Sequence, residues 1–416
     1  MGFCMRTILH CDCNSFYATI ELAANPHLRG KPLVVCGDPN LRHGIVLAKS
    51  PEAKAYGIFT GEVLWEAKKK CPQLMLIHAR HKVYLDYSRG LRSICRQYTP
   101  FVEPFGLDES WLDVSHHALS GEEIAARIRQ AAKEELGITT SVGVSYNKVF
   151  AKLGSEMRKP DATTVITPEN FREKVWIRSV DDLLFVGRAT KKRLAQMGIH
   201  TIGQLAQCDT NLLLQAFGKN GLTIQAFARG EDNSPVLSPE TADEIKSIGN
   251  STTPPHDIRC EEEAKSILYL LCESVAARMR RHQVACSTVS ISLRDTSLMC
   301  FGRQMRLQQP TDAAEDIAKA AVHLLHEAYQ WEIPLRSLGV AGGSLISTCQ
   351  DVQTNLWLPA ARRQNNRLDG ALDEIRKRYG HNAVRRGIVV WDSSLADLNP
   401  VDDHAMQPLG AMHGRE

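Results

Sequence analysis

Apolar positions in the first 180 residues alternate between strand-like and helix-like spacing. Short apolar and β-branched runs predict strands at 6–13 (RTILHCDC), 33–37, 44–48, 111–115 and 139–145. Residues 121–136 (GEEIAARIRQAAKEEL) repeat apolar side chains at helical spacing, and Ser50 followed by Pro51 predicts a helix start. Strands with helices between them, and antiparallel pairing through a short turn at Gly106, predict an α+β sheet with helices on one face.

The pattern changes after residue 180. Residues 181–235 are helical in short pieces broken by glycine, and the polar stretch 241–255, with its paired prolines, predicts a linker. Long helices and alternating strands then fill 256–346, which indicates a second, smaller α/β module. In 347–416 we predict a weakly ordered region with one helix at 362–380, and disorder over the last twenty residues.

Composition narrows the class of protein. The chain has 416 residues, 43% hydrophobic and 23% charged, which is typical of a soluble globular protein of two to four domains. A net charge of +3 neither requires nor excludes nucleic acid. We find no apolar run of the roughly 18 residues that span a membrane, and no export signal. Twelve cysteines without a C-x-x-C pair predict reduced thiols in the cytoplasm, and zinc binding by Cys11 and Cys13 is not favoured.

Three acids stand at the ends of strand-like runs. Asp12 closes the first run, and Asp108 and Glu109 lie between two such runs at 101–115. Two or three carboxylates with substrate phosphates can hold two Mg²⁺ ions roughly 3.5–4 Å apart, as nucleotidyl transfer requires. An Asp-Glu pair taken alone is more often a solvated turn, so the surrounding sequence decides.

That surrounding sequence resembles a known family. HCDCNSFYATIE at 10–21, followed by GLDESWLDVS at 106–115, resembles the Y-family DNA polymerases of the bacterial polymerase IV and UmuC-like group. The segments 139–166, 185–206 and 245–253 are similar to the end of that family's palm, its thumb and the link into its fourth domain. The resemblance is collinear from about residue 6 to 395.

The resemblance implies a fold and a division into domains. It implies an α+β multidomain, right-hand polymerase with a palm, small fingers, a helical thumb and a C-terminal little-finger α/β domain. Palm and fingers would occupy 1–180, with the fingers at about 30–80, and a helix-hairpin-helix thumb would occupy 181–240. A linker at 241–255, the little finger at 256–346 and an extension at 347–416 would follow.

The resemblance also implies roles for residues of the first domain. Asp12, Asp108 and Glu109 would hold two Mg²⁺ ions, or Mn²⁺, with the main-chain carbonyl of Cys13 as a further ligand. The deoxynucleoside triphosphate would be contacted by four residues, with the Tyr17 ring as a steric gate against a ribose 2′-hydroxyl: Phe16, Tyr17, Lys54 and Lys159.

Some positions depart from the family pattern. Pro51 and Lys54 stand where polymerase IV proteins usually carry an aromatic residue and an arginine, and lysine lacks the bidentate fork. Asn14 replaces a common aspartate, and Ile45 and Leu47 lie where some relatives have smaller residues. These features look closer to the UmuC-like branch of Gram-positive bacteria and their mobile elements.

Primer-template DNA is the expected macromolecular partner. In the thumb-like segment Gly187, Lys191 and Lys192 would bind phosphate at a helix start, although Phe185 replaces the first glycine of the usual hairpin. In the last module three arginines would face the DNA backbone on one sheet: Arg294, Arg303 and Arg306. The alternative for the lysines of the thumb-like segment is a solvated helix face.

A peptide after the last module matches the bacterial sliding-clamp motif. Gln353 is followed by Leu356 and Trp357, which would insert into an apolar cleft of the clamp. Alternatively, both apolar residues pack back on the last module.

These features predict template-directed, low-fidelity DNA synthesis, serving translesion synthesis and DNA damage tolerance. No phosphate-binding loop for ATP hydrolysis is present, and the polymerase uses every matched segment, so we expect no proofreading nuclease. Induction by DNA damage, as in the SOS response, is implied by the resemblance alone. The alternatives are a non-catalytic adaptor on DNA or the clamp, and a nucleotide cyclase-like enzyme, whose sheet also uses paired acids.

Overall fold

The computed structural model describes residues 6–37, 44–238, 245–348, 361–380 and 383–390, with the backbone alone at 361–367 and 389–390. The chain divides into two compact units, the first ending before residue 243 and the second following it. The described strands are β1 (Ile8–Cys13), β2 (Leu33–Cys36), β3 (Val46–Lys49), β4 (Met75–His78), β5 (Val102–Pro104), β6 (Glu109–Asp113), β7 (Thr140–Ser145), β8 (Thr163–Val165), β9 (Ser247–Thr252), β10 (Val284–Asp295), β11 (Cys300–Thr311) and β12 (Leu335–Ser347).

Helices connect these strands and fill the middle of the chain. The described α-helices are α1 (Phe16–Ala24), α2 (Pro51–Ala55), α3 (Leu64–Lys70), α4 (His81–Arg96), α5 (Gly121–Glu135), α6 (Lys148–Met157), α7 (Phe171–Val175), α8 (Arg188–Gln196), α9 (Ile202–Gln207), α10 (Thr210–Phe217), α11 (Lys219–Arg229), α12 (Glu261–Arg281), α13 (Ala314–Ala328), α14 (Ala361–Tyr379) and α15 (Gly387–Val390). Most of the helices predicted from apolar spacing are confirmed, including those at 121–136 and 362–380.

A five-stranded sheet organises the first unit, in the order β5-β6-β1-β7-β8. The central strand β1 is antiparallel to both β6 and β7, and all six of its residues are buried. In this register Asp12 lies opposite Glu109 on one side and Ser141 on the other. The pairing therefore brings together residues that lie about a hundred positions apart in the sequence.

Helices cover both faces of this sheet, so the prediction of helices on one face is wrong. Leu9 and Cys11 of β1 join an apolar core with α4 and α5. His10 faces the other way and contacts Ser155 of α6. The α6 helix lies against the sheet because Gly143 has no side chain, and a Cβ atom there would lie 1.8 Å from the Ala151 carbonyl oxygen.

A smaller three-stranded sheet, in the order β3-β2-β4, packs with α2 and α3 around its own apolar core. The helix start predicted at Ser50 is confirmed, since its side chain accepts a hydrogen bond from the Ala53 N–H at 3.3 Å. The helix itself is short and ends at Ala55.

The helical prediction for 181–235 is confirmed by α8 to α11. These helices share an apolar core with Val149, Phe150 and Leu153 of α6. The α6 helix therefore has one side on the five-stranded sheet and another on the helical segment. Phe185, just before α8, has a positive φ of 68°, the backbone conformation that glycine adopts without strain.

The second unit is a four-stranded sheet, in the order β11-β10-β12-β9, that shares one apolar core with α12 and α13. The linker predicted at 241–255 is wrong for 247–252, because these residues form β9 and pair with β12. The strand was not predicted because most of its residues are polar and do not show an apolar alternation. Asn250, for example, is buried and donates a side-chain hydrogen bond to Ser274 at 3.0 Å.

Ion pairs attach the C-terminal helices to the second unit. Glu273 of α12 is buried and accepts hydrogen bonds from Arg376 at 2.8 Å and Arg386 at 2.7 Å. Arg280 contacts Asp369 at 3.3 Å and Asp373 at 2.7 Å. The helix predicted within 347–416 is α14, and the weak order predicted around it is wrong at 383–388, where Arg386 joins these ion pairs. The last twenty residues lie outside the described part of the chain.

Within the described ranges no helix is both long and apolar enough to cross a membrane. The cysteines that the structure describes are all free thiols, and most of them are buried.

Candidate active site

The three predicted acids meet at one edge of the five-stranded sheet. Asp12 lies near the end of β1, Glu109 begins β6 beside it, and Asp108 occupies the turn before β6. The backbone fixes this turn, because the Cys13 N–H donates to the Asp108 carbonyl oxygen at 3.0 Å. The acids open onto a cleft of about 380 Å³. It is lined by Asp12, Cys13, Ser15, Phe16, Tyr17, Leu47, Ala48, Asp108, Glu109, Lys152, Glu156 and Lys159.

Burial and crowding make two of these acids unfavourable as anions. Burial raises the pKa of Asp12 to about 8, although the Lys159 ammonium lies 2.9 Å from its Oδ1 and opposes the shift. Burial and the neighbouring charge of Glu109 raise the pKa of Asp108 as well. A cation bound at the cleft would lower both pKa values by stabilising the carboxylates.

Glu109 behaves in the opposite way. Burial alone would raise its pKa, but contact with His10 and the charge of Lys152 outweigh burial and lower the pKa to about 2. The Lys152 ammonium contacts the Glu109 carboxylate directly. His10 is fully buried, and burial lowers its own pKa to about 4, so the imidazole is neutral at physiological pH.

The donor set fits a hard divalent cation. Carboxylate oxygens predominate at the cleft, and these are the ligands that Mg²⁺ and Mn²⁺ prefer. Lys152 and Lys159 place ammonium groups against Glu109 and Asp12, which shows that the acids attract positive charge. One ligand atom from each of His10, Asp12 and Glu109 lies within 4.8 Å of the other two.

Several residues of this site were missed by the sequence analysis. Lys152 and Glu156 line the cleft, and Glu156 accepts a hydrogen bond from Lys159 at 2.9 Å. Both residues lie on α6, with Ser155 between them. The sequence contained a signal, because 152, 155, 156 and 159 follow the spacing of one helix face.

Three of the four residues predicted to contact the nucleotide lie at the cleft, and the fourth does not. Phe16, Tyr17 and Lys159 line the cleft, whereas Lys54 is exposed on α2 and is not among the lining residues. The Tyr17 ring stacks on the buried ring of Tyr84, with centroids 4.4 Å apart and planes 19° apart.

Tyr84 is itself anchored, although the sequence analysis gave it no role. Its hydroxyl donates to the buried Glu21 at 2.7 Å. Arg80 donates to both oxygens of the same carboxylate, at 3.0 and 2.7 Å. The aromatic pair below the cleft therefore rests on a buried, fully hydrogen-bonded acid.

The candidate DNA contacts in the helical segment are exposed. Gly187 caps the start of α8, and Lys191 and Lys192 project from that helix into solvent. The Lys191 ammonium lies 2.7 Å from Asp181, so part of its charge is neutralised locally.

The three arginines of the second unit do not share one face of the sheet. Arg294 pairs with Cys300, and Arg306 pairs with Thr288, which places both on the face away from α12 and α13. Arg303 lies opposite the buried Ile291, on the other face. All three arginines are exposed, but they do not form a single phosphate-binding row. The prediction that they share one face is therefore wrong.

Comparisons with known proteins identify related polymerase segments along most of the chain. Residues 11–156 match the family model described as impB/mucB/samB family, and 245–356 match its C-terminal domain. Residues 181–232 match the model described as DNA polymerase-iota, thumb domain. DNA polymerase IV of Acetivibrio thermocellus is 46% identical over 394 residues, covering 94% of this chain and 99% of that protein. The chain belongs to the Y-family DNA polymerases, and to their polymerase IV type.

Further matches support this family and its fold. DNA polymerase IV 1 of Bacillus subtilis is 35% identical, with 92% of each chain covered. A solved Y-family DNA polymerase chimera matches with a TM-score of 0.74, covering 82% of this chain and 99% of its own. At 22% identity that structure shows the fold alone: the right-hand polymerase with a thumb and a C-terminal domain.

The family decides between the functions that the sequence left open. This Y-family member is a DNA-directed DNA polymerase, and it is neither a cyclase nor a non-catalytic adaptor. The relatives above carry the name DNA polymerase IV, so the matches support that type rather than the UmuC-like branch. The departures at Pro51, Lys54 and Asn14 do not place the chain outside it.

Proposed function

We propose that this polymerase performs low-fidelity, template-directed synthesis by two-metal nucleotidyl transfer, without proofreading, during translesion synthesis. The observation that carries the proposal is the convergence of Asp12, Asp108 and Glu109 at one cleft of a Y-family polymerase. Bound Mg²⁺ or Mn²⁺ would help to deprotonate the primer 3′-hydroxyl and neutralise the leaving pyrophosphate.

The chain's own residues would divide the work as follows. Asp12, Asp108 and Glu109 would hold the two ions, with the Cys13 carbonyl as a further ligand. Lys159 already reaches the cleft and would exchange its contact with Asp12 for the triphosphate, as a mobile point charge. Lys54 would contact the triphosphate only after a rearrangement that brings α2 to the cleft, because its side chain lies outside the lining.

The aromatic residues would select the sugar and support the base pair. Phe16 is buried and fixes the start of α1, whereas Tyr17 is half-buried and borders the cleft. The Tyr17 ring would occupy the space that a ribose 2′-hydroxyl needs. Its stacking on Tyr84 keeps the ring in that position.

For DNA we propose contacts that do not read sequence. Gly187, Lys191 and Lys192 would bind one phosphate at the start of α8. Arg294 and Arg306 would bind backbone phosphates from one face of the second unit, and Arg303 would contribute from its edge strand. A template-directed enzyme benefits from this arrangement because it must accept any sequence.

The sliding clamp is a further proposed partner. Gln353, Leu356 and Trp357 lie outside the described residues, so the support is the sequence pattern alone. The cytoplasmic location and the link to the SOS response also stay predictions.

Primer extension tests the catalytic proposal. Glu109→Ala and the isosteric Glu109→Gln remove a charged metal ligand, and extension with Mg²⁺ should fall at least about 100-fold. DNA affinity, measured by fluorescence anisotropy, should change little. Glu327→Gln is the matched control, because Glu327 is an exposed acid of α13 in the second unit. Extension by Glu109→Ala at nearly the wild-type rate would contradict the assignment.

A further inference from the structure

Two carboxylates hold the Lys159 side chain at the edge of the cleft. Its ammonium donates to Asp12 Oδ1 at 2.9 Å and to Glu156 Oε1 at 2.9 Å. Asp12 is one of the acids proposed above to hold the metal ions, whereas Glu156 is not. The two contacts of Lys159 therefore change differently when cations bind.

The contact with Asp12 is lost when a cation takes that carboxylate. A divalent cation and an ammonium group at hydrogen-bond distance from the same oxygen repel each other. Asp12 is buried, so water screens this repulsion little. Glu156 is exposed on the last turn of α6, and its contact with Lys159 does not involve the metal-binding acids. Of the two carboxylates, Glu156 alone then remains to hold the ammonium.

The backbone does not direct the Lys159 side chain by itself. The α6 helix ends at Met157, and Arg158 beyond it is no longer helical, with a φ of −132°. A lysine has a long flexible stem, and holding it in one conformation costs rotamer entropy. Glu156 lies on the helix and lines the cleft, so its carboxylate offers a fixed point for the ammonium.

The pair of Glu156 and Lys159 keeps donors available for the substrate. An ammonium group has three hydrogens, so one contact with Glu156 leaves two for phosphate oxygens. An acid beside a triphosphate would ordinarily repel it, but the two divalent cations neutralise much of the triphosphate charge. The pair therefore contributes directed hydrogen-bond donors rather than net charge.

We propose that Glu156 is a positioning residue that keeps the Lys159 ammonium directed at the triphosphate once cations occupy Asp12. The proposal rests on the function proposed above, in which Lys159 contacts the triphosphate. A partly exposed ion pair contributes modestly, so Glu156→Gln should weaken nucleotide affinity about three- to fivefold. Lys159→Ala removes the donor itself and should weaken nucleotide affinity about tenfold or more.

The test measures nucleotide affinity on the full chain with Mg²⁺ and a primer-template whose primer ends in a dideoxynucleotide, so that binding occurs without synthesis. Fluorescence of a 2-aminopurine base in the template reports binding, and single-turnover extension of an ordinary primer gives the maximal rate. The variants are Glu156→Gln, Lys159→Ala and the double variant. Asp86→Asn is the matched control, because Asp86 pairs with Arg89 at 2.9 Å with the same three-residue spacing and neither residue lines the cleft.

Three results together support the proposal. Glu156→Gln weakens nucleotide binding while the maximal rate changes little, and Asp86→Asn binds as the wild type does. The double variant binds no more weakly than Lys159→Ala, because a residue that acts through Lys159 has no further effect once that lysine is gone. A merely structural role would instead weaken binding in both backgrounds.

Other results would overturn the proposal, and they separate its failure from that of the proposed function. Wild-type affinity in Lys159→Ala would contradict the triphosphate contact itself, and the positioning role with it. If Lys159→Ala weakens binding but Glu156→Gln binds as tightly as the wild type or more tightly, only the positioning role is overturned. Additive losses in the double variant would also overturn it. A Glu156→Gln protein that needs more Mg²⁺ would make Glu156 a metal ligand instead, and thermal unfolding establishes that each variant is folded.

Discussion

At the scale of single residues, the cleft depends on side chains to which the sequence motifs assigned no role. The motifs identified Asp12, Asp108, Glu109 and Tyr17, because each stands in a short pattern that is typical of the family. His10, Lys152 and Tyr84 were missed, since their roles arise from strand register and helix packing. The sequence around a single histidine or lysine does not indicate which acid that residue contacts in the fold.

Tyr17 gives a prediction at this scale. Tyr17→Ala should raise the ratio of ribonucleotide to deoxynucleotide incorporation efficiency at least about tenfold, which corresponds to about 1.4 kcal/mol. The reason is steric, because the ring that borders the cleft no longer fills the space of the 2′-hydroxyl. Single-nucleotide incorporation kinetics measure the ratio.

Tyr17→Phe is the control for this prediction. It keeps the ring and its stacking on Tyr84 and should discriminate as the wild type does. If the ratio does not move in Tyr17→Ala, the residue serves packing alone.

At the scale of secondary structure, the position of α6 determines the site. Strands and helices with clear periodicity were predictable, including β1, β7, α5 and α12. Two strands of the second unit were not, since β9 is polar and β12 contains several glycines. The packing of α6 against the sheet was also not predicted. A glycine in a strand permits a close approach, but the sequence does not indicate which element makes it.

Gly143→Ala tests this contact between elements. The added methyl group would overlap the Ala151 backbone, so α6 must shift and carry Lys152, Ser155 and Glu156 away from the acids. We expect primer extension to fall at least tenfold and the free energy of unfolding to fall by about 3 kcal/mol.

Gly343→Ala serves as the control, because a Cβ atom there meets nothing within 4 Å. Extension rates and thermal unfolding of both variants measure the effect. Equal activity and stability in Gly143→Ala and the wild type would show that α6 does not depend on this close approach.

At the scale of the whole molecule, the two compact units hold different functional groups. The acids, the lysines and the aromatic pair all belong to the first unit, and the arginine-bearing sheet belongs to the second. The resemblance and the composition predicted a multidomain polymerase, and the family matches confirm it. The ion pairs of Glu273 and Asp369 were beyond prediction, since their partners lie about ninety to a hundred residues away.

Tethering to the clamp is a prediction for the full chain. A triple variant, Gln353→Ala with Leu356→Ala and Trp357→Ala, should lose most clamp-stimulated synthesis, because tethering raises the effective concentration at the primer end. Synthesis without the clamp should stay unchanged. Processivity assays with and without a loaded clamp measure both quantities.

Other results would reject the tether. Unchanged stimulation would show that the peptide does not bind the clamp. A loss of stability in the triple variant would instead favour packing of Leu356 and Trp357 on the protein itself.

The central position of β1 has a consequence for how the protein is made. This strand is translated before both of its neighbours in the sheet, which follow it by about a hundred residues or more. Until they arrive, a strand whose six residues are all buried in the finished protein has no partner. Such delayed pairing slows folding and exposes apolar edges to aggregation. Until β7 has been synthesised, the nascent chain therefore cannot pair β1 on both sides.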